Sequence, residues 1–117
     1  MAVTAQRTTH IQFTGDVEAA DSYVAAVNAA SPGVIEVKQL VSPNNTITPP
    51  SSGVTAKAVT IIPPADNTTD ITLKGIAGDT GIVLHNTDPT TIALDSPTAT
   101  FVLSVGTTVN GVRLIWT

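Results

Sequence analysis

The chain has 117 residues, a formal net charge of −4 and no cysteine, and only 12% of its residues are charged while 42% are hydrophobic. A chain of this length predicts a single domain, and the lack of cysteine excludes disulfide bonds and thiolate metal sites. Direct nucleic-acid binding is disfavoured because neutralising phosphates takes a clustered basic face, whereas the five basic residues are scattered: Arg7, Lys38, Lys57, Lys74 and Arg113.

The first third of the chain predicts one helix between two strands. Residues 1–9 are small and polar without periodicity, so we predict a flexible N-terminal arm. Residues 10–14 (HIQFT) alternate as a half-buried strand does. Residues 17–30 place apolar side chains at helical spacing with acidic residues near the start, which predicts a short helix over about 17–30. Ser31-Pro32-Gly33 ends it.

Val34–Val41 alternates apolar and charged residues and predicts a strand, with Ile35 and Val37 opposing Glu36 and Lys38. A strand, a helix and a strand within about 30 residues are compatible with a βαβ unit. An antiparallel return with the helix as a lid is equally compatible. A turn at residues 42–45 and a brief strand over residues 46–48 follow.

Short apolar runs then recur about every ten residues between clusters of Pro, Gly, Asn and Asp, a rhythm typical of compact antiparallel sheets. The glycine-rich segment at residues 75–81 (GIAGDTG) predicts a tight hairpin. Asn110-Gly111 predicts a second hairpin that joins the last two runs across Gly106–Gly111. The runs are VTII, ITL, GIVL, TIAL, TFVLSV and VRLIW.

These patterns predict a mainly β fold: an antiparallel β-sandwich or a jelly-roll-like domain over residues 10–117, with one short N-terminal helix. Only 3% of residues are aromatic, so Val, Ile, Leu and Ala must fill the core. The chain has 20 threonines, whose β-branched side chains suit a pleated surface. Trp116 is compatible with core packing and with an exposed interface anchor.

No segment carries a catalytic or metal-binding pattern. His10 and His85 lack the paired spacing of zinc ligands, even with Asp79 or Asp88 nearby. Aspartates in turns normally bond their own backbone. The segment GIAGDTG lacks the lysine and the helix of a phosphate loop. We therefore expect no enzymatic activity, no cofactor and no metal site.

Membrane insertion and export are also not expected. No apolar run approaches the roughly 18 residues of a membrane span, and the segment MAVTAQRTTH lacks the apolar centre of a signal peptide. We expect a soluble protein without a membrane partner.

The last 60 or so residues resemble a group of small, β-rich virion proteins of tailed bacteriophages. The shared marks are the PP-x-x-N-T-T, TLKG and GDTG segments, the HNTDP turn and the terminal GVRLIW. The FTGDV and NTITPP segments are more weakly similar. The resemblance implies a structural protein located in the virion and assembled in the host cytoplasm. It does not distinguish the capsid surface from the tail.

We therefore expect a capsid decoration (cement) protein that stabilises the shell. The alternatives are a tail, baseplate, collar or fibre component and a carbohydrate-binding attachment module. The resemblance implies virion proteins as partners. The low share of charged residues favours a surface covered by other subunits, so we also expect a small homo-oligomer, with a trimer as the favoured state. The N-terminal arm and strand edges should make the contacts, with Arg7, His10 and Trp116 as interface residues.

Overall fold

The computed structural model describes residues 3–13, 19–29, 34–50, 58–93 and 100–117, with burial and side-chain contacts described from residue 35 onward. The described part is mainly β, and no helix in it is long and apolar enough to cross a membrane. Its strands are β1 (Val3–Phe13), β2 (Ala19–Ala29), β3 (Val34–Leu40), β4 (Asn44–Ile47), β5 (Ala58–Ile62), β6 (Ile71–Lys74), β7 (Ile82–Val83), β8 (Thr90–Ala93), β9 (Phe101–Val105) and β10 (Val109–Trp116).

Strands β1 and β2 form a two-stranded antiparallel sheet, in which Val3 lies opposite Ala29 and Phe13 opposite Ala19. The described backbone is thus a strand over Ala19–Ala29, where the sequence predicts a helix over 17–30. The segment Val3–Thr9, predicted as an arm, belongs to β1. In β2, pairing with β1 supplies backbone hydrogen bonds in place of those that a helix would form within itself. Alanine-rich segments do not determine which of these two conformations occurs. Residues 17, 18 and 30 lie outside the described residues.

The other eight strands form two four-stranded antiparallel sheets. The first sheet has the order β3-β10-β5-β8 and the second has the order β4-β9-β6-β7. The βαβ alternative does not occur in the described strands, because β3 pairs with β10 and β1 pairs with β2. Except for β6 and β7, consecutive strands of this set lie in different sheets.

The pairings of these eight strands are nested. Strand β6 pairs with β7, β5 with β8, β4 with β9, and β3 with β10. The chain is therefore arranged as one long hairpin that reverses between β6 and β7. Two further pairings, β10 with β5 and β9 with β6, join the nested pairs into the two sheets.

One cluster of buried side chains draws on both sheets, and its aliphatic composition confirms the predicted kind of core. Each fully buried Leu, Ile or Val contributes roughly 1.5–3 kcal/mol relative to an exposed one. Trp116 is fully buried, with its ring centroid 6.3 Å from that of Phe101. The cluster contains Leu40, Ile47, Val59, Ile61, Ile71, Leu84, Leu103, Val105, Val109, Val112, Leu114 and Trp116.

Asn67 holds together the loops that precede β6 and β8. Its Nδ2 donates to the carbonyl oxygens of Thr69 and Asn86, both at 2.8 Å, and its Oδ1 accepts from the Thr69 N–H at 3.1 Å. The Asn67 N–H also donates to the Pro64 carbonyl at 3.0 Å. These bonds stabilise a turn at Pro64–Asn67, where asparagine substitutes for a backbone partner.

The hairpin predicted at Asn110-Gly111 is wrong. Strand β9 lies in the second sheet and β10 in the first, so the two do not pair. Gly111 instead has φ = 79° within β10, where the register against β3 shifts between Val109 and Val112. A G1-type β-bulge and a tight two-residue hairpin turn both need a residue with positive φ, so the dipeptide is compatible with either.

Replacing Gly111 by alanine should lower the free energy of unfolding by about 1–2 kcal/mol, because an L-residue with positive φ is strained. Gly106 is the matched control: an added Cβ meets open space at both positions, but only Gly111 has positive φ. The Gly106→Ala variant should stay within about 1 kcal/mol of the parent. Urea unfolding of both variants measures the difference, and equal stabilities would contradict the role of the bulge.

Candidate functional site

An apolar cavity of about 570 Å³ lies between residues of the two sheets, beside the hairpin that joins β6 to β7. Its volume falls within the roughly 300–1,000 Å³ of small-molecule sites. Val59 and Ile92 line it from the first sheet, and Leu73, Ile82 and Phe101 line it from the second. The wall is mainly aliphatic, so the cavity favours apolar groups over charged ones.

The two ionisable side chains at the cavity, Lys74 and Asp79, both bond the backbone of the adjoining turn. The Asp79 carboxylate accepts from the Ile76 N–H at 2.9 Å, and the Asp79 N–H donates to the Ile76 carbonyl at 3.1 Å. The Lys74 ammonium donates to the Ala77 carbonyl at 3.4 Å. For Asp79 these bonds confirm the predicted backbone role of a turn aspartate. Both side chains therefore stabilise the turn, and they are not arranged as a proton-transfer pair.

Gly81 lets β7 approach β6 closely at the edge of the cavity. It has φ = 79°, and a Cβ added there would lie 2.6 Å from the Leu73 carbonyl oxygen and 2.7 Å from Thr72 Cγ2. Leu73 lies opposite Ile82 in the paired strands. The hairpin predicted from GIAGDTG is therefore confirmed. Glycine is required at position 81 both because φ is positive there and because β6 lies too close for a side chain.

The histidine in the turn before β8 also has a structural role. Nδ1 of His85 accepts from the N–H groups of Asp88 at 2.9 Å and Thr87 at 3.2 Å. The Asp88 carboxylate lies 3.8 Å from the same nitrogen. Among the described residues, no group of three or more His, Asp or Glu side chains could hold a metal ion.

The residues predicted for an interface fall in two different places. Arg7 and His10 lie on β1, opposite Ala25 and Ser22 respectively. Trp116 lies in the hydrophobic core with no exposed surface, so of the two alternatives for this residue the structure shows core packing. Its Nε1 has no hydrogen-bond partner among the described residues.

The structure exposes several apolar side chains that the sequence pattern does not place on the surface. Ile35 and Val37 of β3 are 67% and 69% exposed, while Glu36 and Lys38 point to the opposite, half-buried side. Alternation of apolar and charged residues normally places the apolar set inside. The predicted alternation of β3 is confirmed, but Ile35 and Val37 face outward, while Leu40 at the end of the strand lies in the core. Ile76, Ile82 and Val83 of the β6–β7 hairpin are exposed as well.

Replacing Gly81 by alanine should destabilise the fold by more than the Gly111 substitution does. Strain from positive φ costs about 1–2 kcal/mol, and the contact with the Leu73 carbonyl adds to it. Gly78 lies in the same turn with open space around it, so Gly78→Ala is the control and should be nearly neutral. Thermal unfolding of both variants makes the comparison. A Gly81→Ala protein as stable as the control would contradict the close approach.

No family model, no curated protein and no solved structure matches the chain. The features that bear on function are therefore the strand order, the apolar cavity and the exposed apolar side chains of β3 and of the β6–β7 hairpin.

Proposed function

We propose that β3–β10 form a jelly-roll sandwich and that the protein is a structural component of a tailed-phage virion, most specifically a capsid decoration protein. The observation that carries the proposal is the nested strand pairing divided between the orders β3-β10-β5-β8 and β4-β9-β6-β7. Eight strands in two sheets that share one core match the jelly-roll plan, which is found in viral capsid domains.

The resemblance to virion proteins and the composition of the surface support the same role. Jelly rolls also serve unrelated functions, so strand order alone does not select one. Only 12% of residues are charged, and the exposed residues of β3 include Ile35 and Val37. Surfaces of this kind favour burial against neighbouring subunits.

The mechanism is stabilisation of the shell by binding. A subunit that binds only the assembled lattice stabilises that lattice by RT ln(1 + [L]/Kd) per site. Attachment as a small homo-oligomer strengthens each contact through effective concentration. Arg7 and His10 on β1 are proposed to contact the shell. The partners are the major capsid protein or, for a tail component, tail proteins.

A carbohydrate-binding module is the alternative of a different class, and lectins also use jelly rolls. Such modules commonly present aromatic side chains to the sugar. The aromatic side chains with described burial are Trp116, which is buried, and Phe101, which is half-buried. This distribution favours the virion proposal over the carbohydrate one.

Co-sedimentation tests the proposal. Purified protein is mixed with expanded empty shells, or with separated tails, of a tailed phage whose genome encodes the chain. We expect saturable binding to shells, no binding to tails, and an increase in the melting temperature of the shells. Binding to tails alone would contradict the decoration role, and binding to neither, or to a glycan array instead, would contradict the virion role.

The proposed shell contact has its own test in two arginine substitutions. Arg7→Glu should weaken shell binding by about tenfold or more, equivalent to about 1.4 kcal/mol, because it reverses a charge on the proposed contact strand. Arg113→Glu reverses an exposed charge on β10 and serves as the matched control. Loss of binding in the Arg113 variant alone would show that the first sheet, and not β1, makes the contact.

A further inference from the structure

Strand β3 is an edge strand of the first sheet, with β10 on one side and no described strand on the other. It is seven residues long, the longest of the edge strands in the two four-stranded sheets. Long edge strands with exposed apolar side chains are templates for pairing with another chain unless something blocks them. Ile35 and Val37 are both about two-thirds exposed, so an added strand would gain apolar contact on this face.

The charges of β3 are arranged symmetrically about Val37. Glu36 precedes it and Lys38 follows it, and their charged groups lie 3.5 Å apart on the same side of the strand. An antiparallel copy of β3 centred on Val37 would place Glu36 opposite Lys38 of the second copy and Lys38 opposite its Glu36. Opposite charges directly across an antiparallel pair stabilise it, and like charges destabilise it. Centring the pair on Glu36 or on Lys38 would set like charges against each other.

We propose that β3 pairs with β3 of a second copy of this chain, antiparallel and about a two-fold axis at Val37. The contact is isologous, as the commonest homo-oligomeric interfaces are. It extends the first sheet continuously from four strands to eight and sets the two Val37 side chains side by side. The other edge strands of the two four-stranded sheets, β4, β7 and β8, contain no charged residue and so lack a matching pattern.

The inference goes beyond the virion role, because the dimer needs no shell to form. It also differs from the trimer expected from the sequence. A two-fold axis joins chains in pairs, whereas a three-fold ring needs two different surfaces in each contact. Sedimentation or light scattering distinguishes the two states directly, since the dimer has twice the 12.0 kDa mass of one chain.

Charge reversal provides the main test. Lys38→Glu gives acidic residues at positions 36 and 38, and Glu36→Lys gives basic residues at both. Each variant alone then sets like charges opposite each other, so its dimer Kd should rise by about tenfold or more. An equimolar mixture of the two variants should dimerise again, because each chain now opposes the other's charge. The Glu36→Lys/Lys38→Glu double variant should dimerise as the parent does. Lys74→Glu, on a strand with neighbours on both sides, is the control and should leave the dimer intact.

A cysteine substitution provides an independent test of the register. The chain has no cysteine, so Val37→Cys introduces a single thiol at the proposed axis. Directly opposed residues have Cβ atoms about 4.5–5.5 Å apart, close to the roughly 3.5–4.5 Å of a disulfide. Mild oxidation should yield a covalent dimer from Val37→Cys and far less from Val83→Cys, an exposed position on β7.

Circular dichroism of each variant establishes that it is folded before its mass is measured. A parent protein that is monomeric or trimeric at all concentrations would overturn the proposal. So would folded single-charge variants that remain dimeric, or a mixture of the two that stays monomeric. Shell binding by a monomeric parent would leave the virion role standing while the dimer failed, so the two proposals can fail separately.

Discussion

The two-sided pairing of β10 is the constraint on which the rest of the described fold depends. This strand lies between β3 and β5 in the first sheet, and every second residue near its end points into the shared core. The residue after β10 continues the contact with β5, because Thr117 and Ala58 exchange two backbone hydrogen bonds of 2.9 and 3.0 Å. With Leu114 and Trp116 fully buried, β10 cannot shift in register without exposing the centre of the core.

The sequence predicts which segments become strands better than it predicts which strands pair. Each apolar run between Ala58 and Trp116 forms a strand, because its alternation and its flanking turn residues are local signals. Pairing depends on contacts far along the chain. Asn110-Gly111 therefore indicates positive φ correctly but leaves open whether a hairpin or a bulge uses it. The same limit applies to β3, whose alternation is local but whose inner face is selected by β10.

The candidate site was less predictable than the fold. Its cavity is formed by residues as far apart in the chain as Val59 and Phe101, and no local pattern brings these two together. The glycine-rich turn beside it was recognisable, because glycine alone accepts both the φ and the crowding at Gly81. The exposed apolar face of β3 is not recognisable from the sequence, because alternation shows which residues share a face but not which face is exposed to solvent.

The nested order of the strands also bears on how the chain reaches its native state. Leu73 and Ile82 are nine residues apart, so their contact closes a short loop, whereas Val34 and Trp116 are joined only when most of the domain has been enclosed. Loop-closure entropy rises with the length enclosed, and contact order governs folding rate. Of the nested pairs, the β6–β7 hairpin therefore closes at the lowest entropic cost, and the β3–β10 pair encloses the longest stretch of chain.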